Sequence, residues 1–152
     1  MTNIITVILL SILPISELRG AIPLGIGLEY NPLLIFVLAV FFNSIIILPL
    51  FFFLDHIHTY LIKFSFYHKI FTKYINKARR KVEHLIGTEK EALGLYLLTA
   101  IPLPMTGAYS ATILAWFFNI KRTKAIKAIV LGVFTAGVIV TLASMGIIKI
   151  FF

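Results

Sequence analysis

The sequence predicts an all-α integral membrane protein. Its plan is an inverted repeat of re-entrant helical hairpin plus transmembrane helix, joined by an amphipathic interfacial helix. Three observations predict it. Of the 152 residues 60% are hydrophobic and 13% charged, against about 45–50% and about 25% in ordinary soluble domains. Apolar runs alternate with short segments rich in proline, glycine and charge. Twelve of the 14 Lys and Arg fall in two stretches, residues 55–91 and 121–127. A soluble globule of this composition would leave large apolar patches in water, and 14 Phe exclude disorder. With no cysteine there is no disulfide, thiolate metal site or cysteine nucleophile.

The first element, Ile4 to Ile15, is apolar except for Thr6 and Ser11. Its 12 residues make roughly 18 Å of helix, too little for a bilayer core of about 30 Å. Met1-Thr2-Asn3 carries no basic side chain, and Pro14 and Glu17 follow the run where a signal peptide would show small residues, so it reads as mature protein. Residues Ile4–Tyr30 are too few for two crossings, and Glu17 to Pro23 lies at their middle. The segment therefore reads as a re-entrant hairpin with Pro14 and Pro23 flanking its tip. A single crossing is the alternative, and it would bury Glu17 and Arg19 in hydrocarbon on one helix.

Leu33 to Leu54 is a 22-residue apolar run, broken only by Asn43, Ser44 and Pro49, and forms the first span. Asn31 is its N-cap candidate, with Pro32 at the first helical position. In residues 55–91, apolar residues from Ile57 through Phe64 and Phe71 to Leu85 recur at steps of three or four, with basic residues on the other face. That predicts a long helix on the inner membrane surface, stopped at Gly87. Thr88 with Glu91 resembles a capping box for the next helix.

Ala92–Ile101 and Ala108–Phe118 are short apolar pieces. Both flanking basic stretches belong on the cytoplasmic side, so the chain between them must return to the side it entered. Its 29 residues fall short of the about 40 that two crossings need. Pro102, Pro104 and Gly107 supply the turn of this second hairpin. Asn119 is the matching N-cap candidate, and Ala128 to Ile148 is the second span, with Gly132, Gly137 and Gly146 favouring close packing. Arg19-Gly20-Ala21 precedes Thr106-Gly107-Ala108 by 87 residues. The chain divides as one membrane domain: repeat 1 at residues 1–54, the basic linker at 55–91, and repeat 2 at 92–152.

Irregular backbone at membrane depth is tolerated only inside protein or beside a water-filled cavity. Glu17 and Arg19 are the sharpest candidates there. Arg19 offers a planar fork for phosphate or carboxylate, and Glu17, partly desolvated, is a candidate proton carrier. A direct pair between residues two apart requires the broken backbone that Pro14, Gly20 and Pro23 suggest; a structural ion pair is the alternative. Thr106, Tyr109 and Ser110 are the polar groups of the second tip, for ligand or for packing. Asn43 reads as interhelical hydrogen bonding. His56, His58, His68 and His84 read as solvated surface, so no metal is expected, and no cofactor is implied. Anionic lipid headgroups explain the basic stretch better than nucleic acid does. No catalytic set is recognisable, so the chain does not read as an enzyme.

The string Glu17-Leu18-Arg19-Gly20-Ala21-Ile22-Pro23, paired with Pro102-Leu103-Pro104-Met105-Thr106-Gly107-Ala108, resembles the "putative small multi-drug export protein" family. That family is similar to the DedA (SNARE-associated or VTT-type) superfamily. The resemblance implies facing re-entrant hairpins, inverted repeats and lipid transport or scrambling, with flipping of a polyprenyl-phosphate carrier coupled to a proton or ion gradient. Glu17 and Arg19 match the first motif; Pro102, Pro104 and Gly107 match the second. Thr106 stands where the DedA pattern has an arginine.

Together these readings give a transporter or flippase of an anionic, polyprenyl-phosphate-like lipid, coupled to protons or sodium. The substrate and ion site would comprise Glu17, Arg19, Pro23, Pro102, Pro104, Thr106, Gly107, Tyr109 and Ser110. An exporter of cationic amphiphiles with Glu17 as cation site is one alternative. A membrane-organising protein without transport, acting through the basic helix, is another. A plasma-membrane homodimer is expected, since two spans enclose little space alone.

Overall fold

The computed structural model describes residues 4–82, 90–101 and 106–151. Among these the chain is all-helical: α1 (Ile4–Ile12), α2 (Glu17–Gly27), α3 (Pro32–Ile45), α4 (Ile47–His56), α5 (His58–Leu61), α6 (Ser65–Val82), α7 (Glu91–Ala100), α8 (Ala108–Phe117) and α9 (Arg122–Phe151). Pro102, Pro104, His84, Leu85, Gly87 and Thr88 lie outside the described residues.

Two helices are long and apolar enough to cross a membrane: Pro32–His56, which joins α3 to α4, and Arg122–Gly146 in α9, each of 25 residues. Both exceed the apolar runs at their ends, because Pro32, Asp55 and Arg122 continue the helices past the hydrocarbon-compatible core. The first is interrupted at Ile46, where Pro49 offers no N–H to the carbonyl four residues before it. Leu33, Val37, Phe41, Ile45, Leu48 and Phe52 form one exposed apolar strip along it, which only lipid or a second apolar surface can cover.

Caps fix the helix ends. Asn31 Oδ1 accepts the Leu33 amide at 2.9 Å and the Leu34 amide at 3.4 Å, with Pro32 behind it, as expected. Asn119 does something else. It takes a left-handed φ of 54° just past α8, and the Ile120 amide reaches back to the Ala115 carbonyl at 2.9 Å. That is a Schellman turn, so Asn119 ends α8 and does not open α9. Glu29, at φ 63°, makes the same turn after α2, with the Tyr30 amide on the Gly25 carbonyl. No side chain caps α7 at Lys90, and Glu91 holds Lys124 at 2.9 Å in place of a capping-box contact.

The four described residues with positive φ fall into two pairs with one spacing. Glu17 and Gly107 open α2 and α8, 90 residues apart; Glu29 and Asn119 close them, also 90 apart. The two closing turns are alike, both left-handed at 63° and 54°, while the opening residues differ, Glu17 at 48° and Gly107 at 138°.

Register follows from the close contacts. A Cβ on Gly25 would sit 2.7 Å from Ile35, so α2 lies directly against α3. Eight residues along each antiparallel helix, about 12 Å, bring Glu17 level with Asn43, near the middle of Pro32–His56. Gly137 packs on Val40 and Phe36, and Gly132 on Tyr96, Thr99 and Ala100. Gly146 meets nothing, so it contributes no close packing. Glu17, Asn43, Thr99 and Gly132 therefore share one level. The buried core around it includes Leu18, Ile22, Ile35, Leu95, Leu114 and Ile129.

The linker is not one helix. It breaks between α5 and α6, and α6 then carries both basic residues and exposed Phe66 and Ile70. His58 corrects the surface reading of the histidines: it is only 8% exposed, packed among Tyr67, Phe71 and Trp116. An imidazole has an apolar body, and aromatic neighbours bury it readily. His56 and His68 are exposed as expected.

Candidate functional site: the junction of α2 and α8

The break in the first hairpin is short. Residues 13–16 turn the chain, the Ser16 hydroxyl donates to the Leu10 carbonyl at 2.7 Å, and α2 begins at Glu17. Glu17 is itself the irregular residue, at φ 48°, a region costly to any side chain bearing a Cβ. Gly20 and Pro23 do not break the backbone; both lie within α2. Pro23 is exposed on α2, six residues past Glu17.

Glu17 is 6% exposed and is the one buried carboxylate among the described residues. Its carboxylate accepts the backbone amide of Tyr109, at the start of α8. It thereby caps a helix from another part of the chain, where the positive end of the helix dipole favours an anion. Gly107 makes room for this. Its φ is 138°, and a Cβ there would overlap the carboxylate.

Arg19 ties the same two tips together. Its Nη2 donates to Thr106 Oγ1 at 3.2 Å and reaches the Ile101 carbonyl at 3.4 Å. The Thr106 hydroxyl in turn donates to the Ile101 carbonyl at 3.0 Å. Tyr109 contributes twice, because its phenol also donates to the Ile12 carbonyl at the end of α1. Ser110 is buried beside this network. Of the nine predicted site residues, five are joined here by contacts, Glu17, Arg19, Thr106, Gly107 and Tyr109, and Ser110 follows Tyr109 on α8. The electrostatics are near balance, with one carboxylate, one guanidinium and one helix N-terminus.

One participant escaped sequence reading. The Ile101 carbonyl is freed where α7 ends in extended backbone, and only the prolines that follow hint at it. Asn43 is fully buried at the level of Glu17, and neither its Oδ1 nor its Nδ2 has a hydrogen-bond partner. The expected interhelical hydrogen bond is therefore not made. The neighbouring α3–α4 interruption offered a sequence signal in Pro49.

At the end of the bundle where α4 stops and α9 starts, Asp55 accepts from Trp116 Nε1 at 3.0 Å and pairs with Arg122. Lys124 and Glu91 pair at the same end. Both ends of the α7–α8 pair thus lie beside the start of α9. Nearby, burial pushes the His58 imidazole below its ordinary value and the Tyr67 phenol above its own, and the two share a 3.0 Å hydrogen bond. Among the described residues no three His, Asp or Glu converge as metal ligands would.

A family model described as "Putative small multi-drug export protein" matches residues 17–139, which takes in both tips and most of both long helices. No curated protein and no solved structure matches the chain significantly.

Proposed function

The chain belongs to the small multi-drug export family, and from that premise we propose that it is a membrane exporter of cationic amphiphiles coupled to protons through Glu17. The observation that carries this reading is the buried Glu17 carboxylate at the junction of two helical tips, level with the middle of a 25-residue apolar helix. A carboxylate there binds either a proton or a cation, and substrate and proton compete for it. In the resting arrangement the carboxylate accepts the Tyr109 amide and lies in the field of the Arg19 guanidinium. Protonation of Glu17 removes the anion from the α8 N-terminus, loosens the tips and opens the path.

In this reading α1–α2 and α7–α8 are re-entrant hairpins that enter from opposite faces. The 90-residue spacing of the positive-φ pairs supports the inverted repeat, and the Glu91–Lys124 pair supports a hairpin that returns to its starting side. The basic stretches then face the cytoplasm of a plasma-membrane protein, and the exposed apolar strip leaves room for a homodimer.

Arg19 favours a second reading, an anionic lipid-linked substrate whose phosphate replaces Thr106 and the Ile101 carbonyl on the guanidinium. The resemblance to the DedA superfamily drawn from the sequence would accompany this reading. Glu17→Gln and Arg19→Ala, assayed in proteoliposomes for a fluorescent lipophilic cation and for a fluorescent anionic lipid, separate the two. The exporter reading expects cation flux driven by a proton gradient and lost in Glu17→Gln. Wild-type cation flux in Glu17→Gln, or lipid movement lost in Arg19→Ala without any cation flux, overturns it.

A further inference from the structure

We infer that the chain carries a second site, at the cytoplasmic end of the bundle, for one anionic phospholipid, its headgroup on the basic stripe of α6 and its acyl chain in the cavity beside Trp116. This site is separate from the Glu17 junction and rests only on the chain's placement in a membrane.

The α6 helix sorts its residues into stripes. His68, Thr72 and Asn76, four apart, run along one line of the helix. On one side of that line Phe71 and Ile75 turn toward α8. On the other side Lys69, Lys73, Lys77 and Arg80 are exposed. A cavity of about 510 Å³ opens between α6 and the end of α8, walled by His58, Phe71, Ile75, Trp116 and Phe117. A groove of about 570 Å³ runs along the basic stripe. The middle line, His68, Thr72 and Asn76, borders both, so the two form one continuous surface.

The chemistry of that surface selects its occupant. Both volumes lie in the range of small-molecule sites, about 300–1,000 Å³. One wall is aromatic and apolar, which suits an acyl chain. The other holds four cationic side chains, and among the described residues no acidic one lines either part. The Asp55 carboxylate beside Trp116 is taken by Trp116 and Arg122. Charge complementarity therefore excludes a cationic amphiphile here and favours an anion with an apolar tail. Exposed Tyr60, Phe64, Phe66 and Ile70 flank the stripe and set α6 at the depth where phospholipid headgroups lie. A free inorganic anion would use the stripe and leave the aromatic wall bare.

Trp116 is the one tryptophan of the chain, so it reports the cavity without labelling. The full-length protein in nanodiscs, with either brominated phosphatidylglycerol or brominated phosphatidylcholine doped into unlabelled lipid, gives the test. The anionic lipid is expected to quench Trp116 at the lower mole fraction. Lys69→Ala and Lys73→Ala should each weaken that preference roughly fivefold, as expected for one basic residue at an anionic surface, while Lys69→Arg keeps it. Lipophilic-cation export should be unchanged in Lys69→Ala, which separates this site from the Glu17 junction. Equal quenching by the two lipids, a preference insensitive to both alanine variants, or full competition by inorganic phosphate would each overturn the assignment.

Discussion

The carboxylate of Glu17 fills the space that a side chain on residue 107 would need, so Glu17 and Gly107 specify one another across the two halves of the chain. One residue tolerates an unfavourable φ of 48° to bring its charge to the junction; the other has a φ of 138° that glycine alone adopts at little cost. A helix N-terminus, a carboxylate and a missing side chain thus make a single joint.

Gly107→Ala should cost about 1–3 kcal/mol of stability through backbone strain alone, with a further loss from displacing Glu17. Adding Glu17→Ala should return the second part and leave the first. Thermal unfolding of the two single variants and the double variant in detergent gives the coupling energy. Strict additivity would mean that the two residues do not touch.

Asn43→Leu should raise the melting temperature, because a fully buried amide without partners costs about 1–3 kcal/mol and leucine, with the same branching, has no polar group to leave unpaired. The same variant should slow export, since it removes a polar wall at the level of Glu17. A destabilised Asn43→Leu would show that the amide is satisfied in the working protein.

The buried, neutral His58 predicts a pH effect on stability. Its pKa in the folded chain is lowered by burial, so the unfolded chain takes up a proton first as pH falls. Stability should be level above about pH 6.5 and decline below it until the folded-state value is passed. His58→Phe keeps the aromatic packing and should flatten that profile. An unchanged acid decline in His58→Phe would assign the effect elsewhere.

Asn31→Ala should cost about 1 kcal/mol, the usual loss of a side-chain cap, read as a lower unfolding midpoint. Asn119→Ala should cost less from lost side-chain bonding than from its left-handed backbone, so Asn119→Gly should be neutral or stabilising.

How much of this was legible in the sequence depends on range. The two spans, the basic helix and the Asn31 cap follow from composition and neighbours within four residues. The convergence of Glu17 and Arg19 with Thr106 and Gly107 was legible too, because helix breakers and charges inside apolar runs have few other uses. What was hidden depends on partners far along the chain. Pro23 looked like a turn, but an exposed proline is accommodated within α2. Asn119 looked like a cap, and only the Ile120–Ala115 bond shows that it ends a helix. His58 looked solvated until α6 and Trp116 folded over it. Asp55 finds its partners in Trp116 and Arg122, more than sixty residues away, which no local pattern announces.

The arrangement of the helical tips in the membrane is open to direct measurement. With no native cysteine, single cysteines at Asn31, Lys90 and Thr123 can be challenged with a membrane-impermeant thiol reagent from either side of sealed vesicles. Lys90→Cys and Thr123→Cys should label from one face and Asn31→Cys from the other. Labelling of Lys90→Cys and Thr123→Cys from opposite faces would contradict a returning α7–α8 pair, and with it the meeting of Glu17 and Gly107 at mid-membrane.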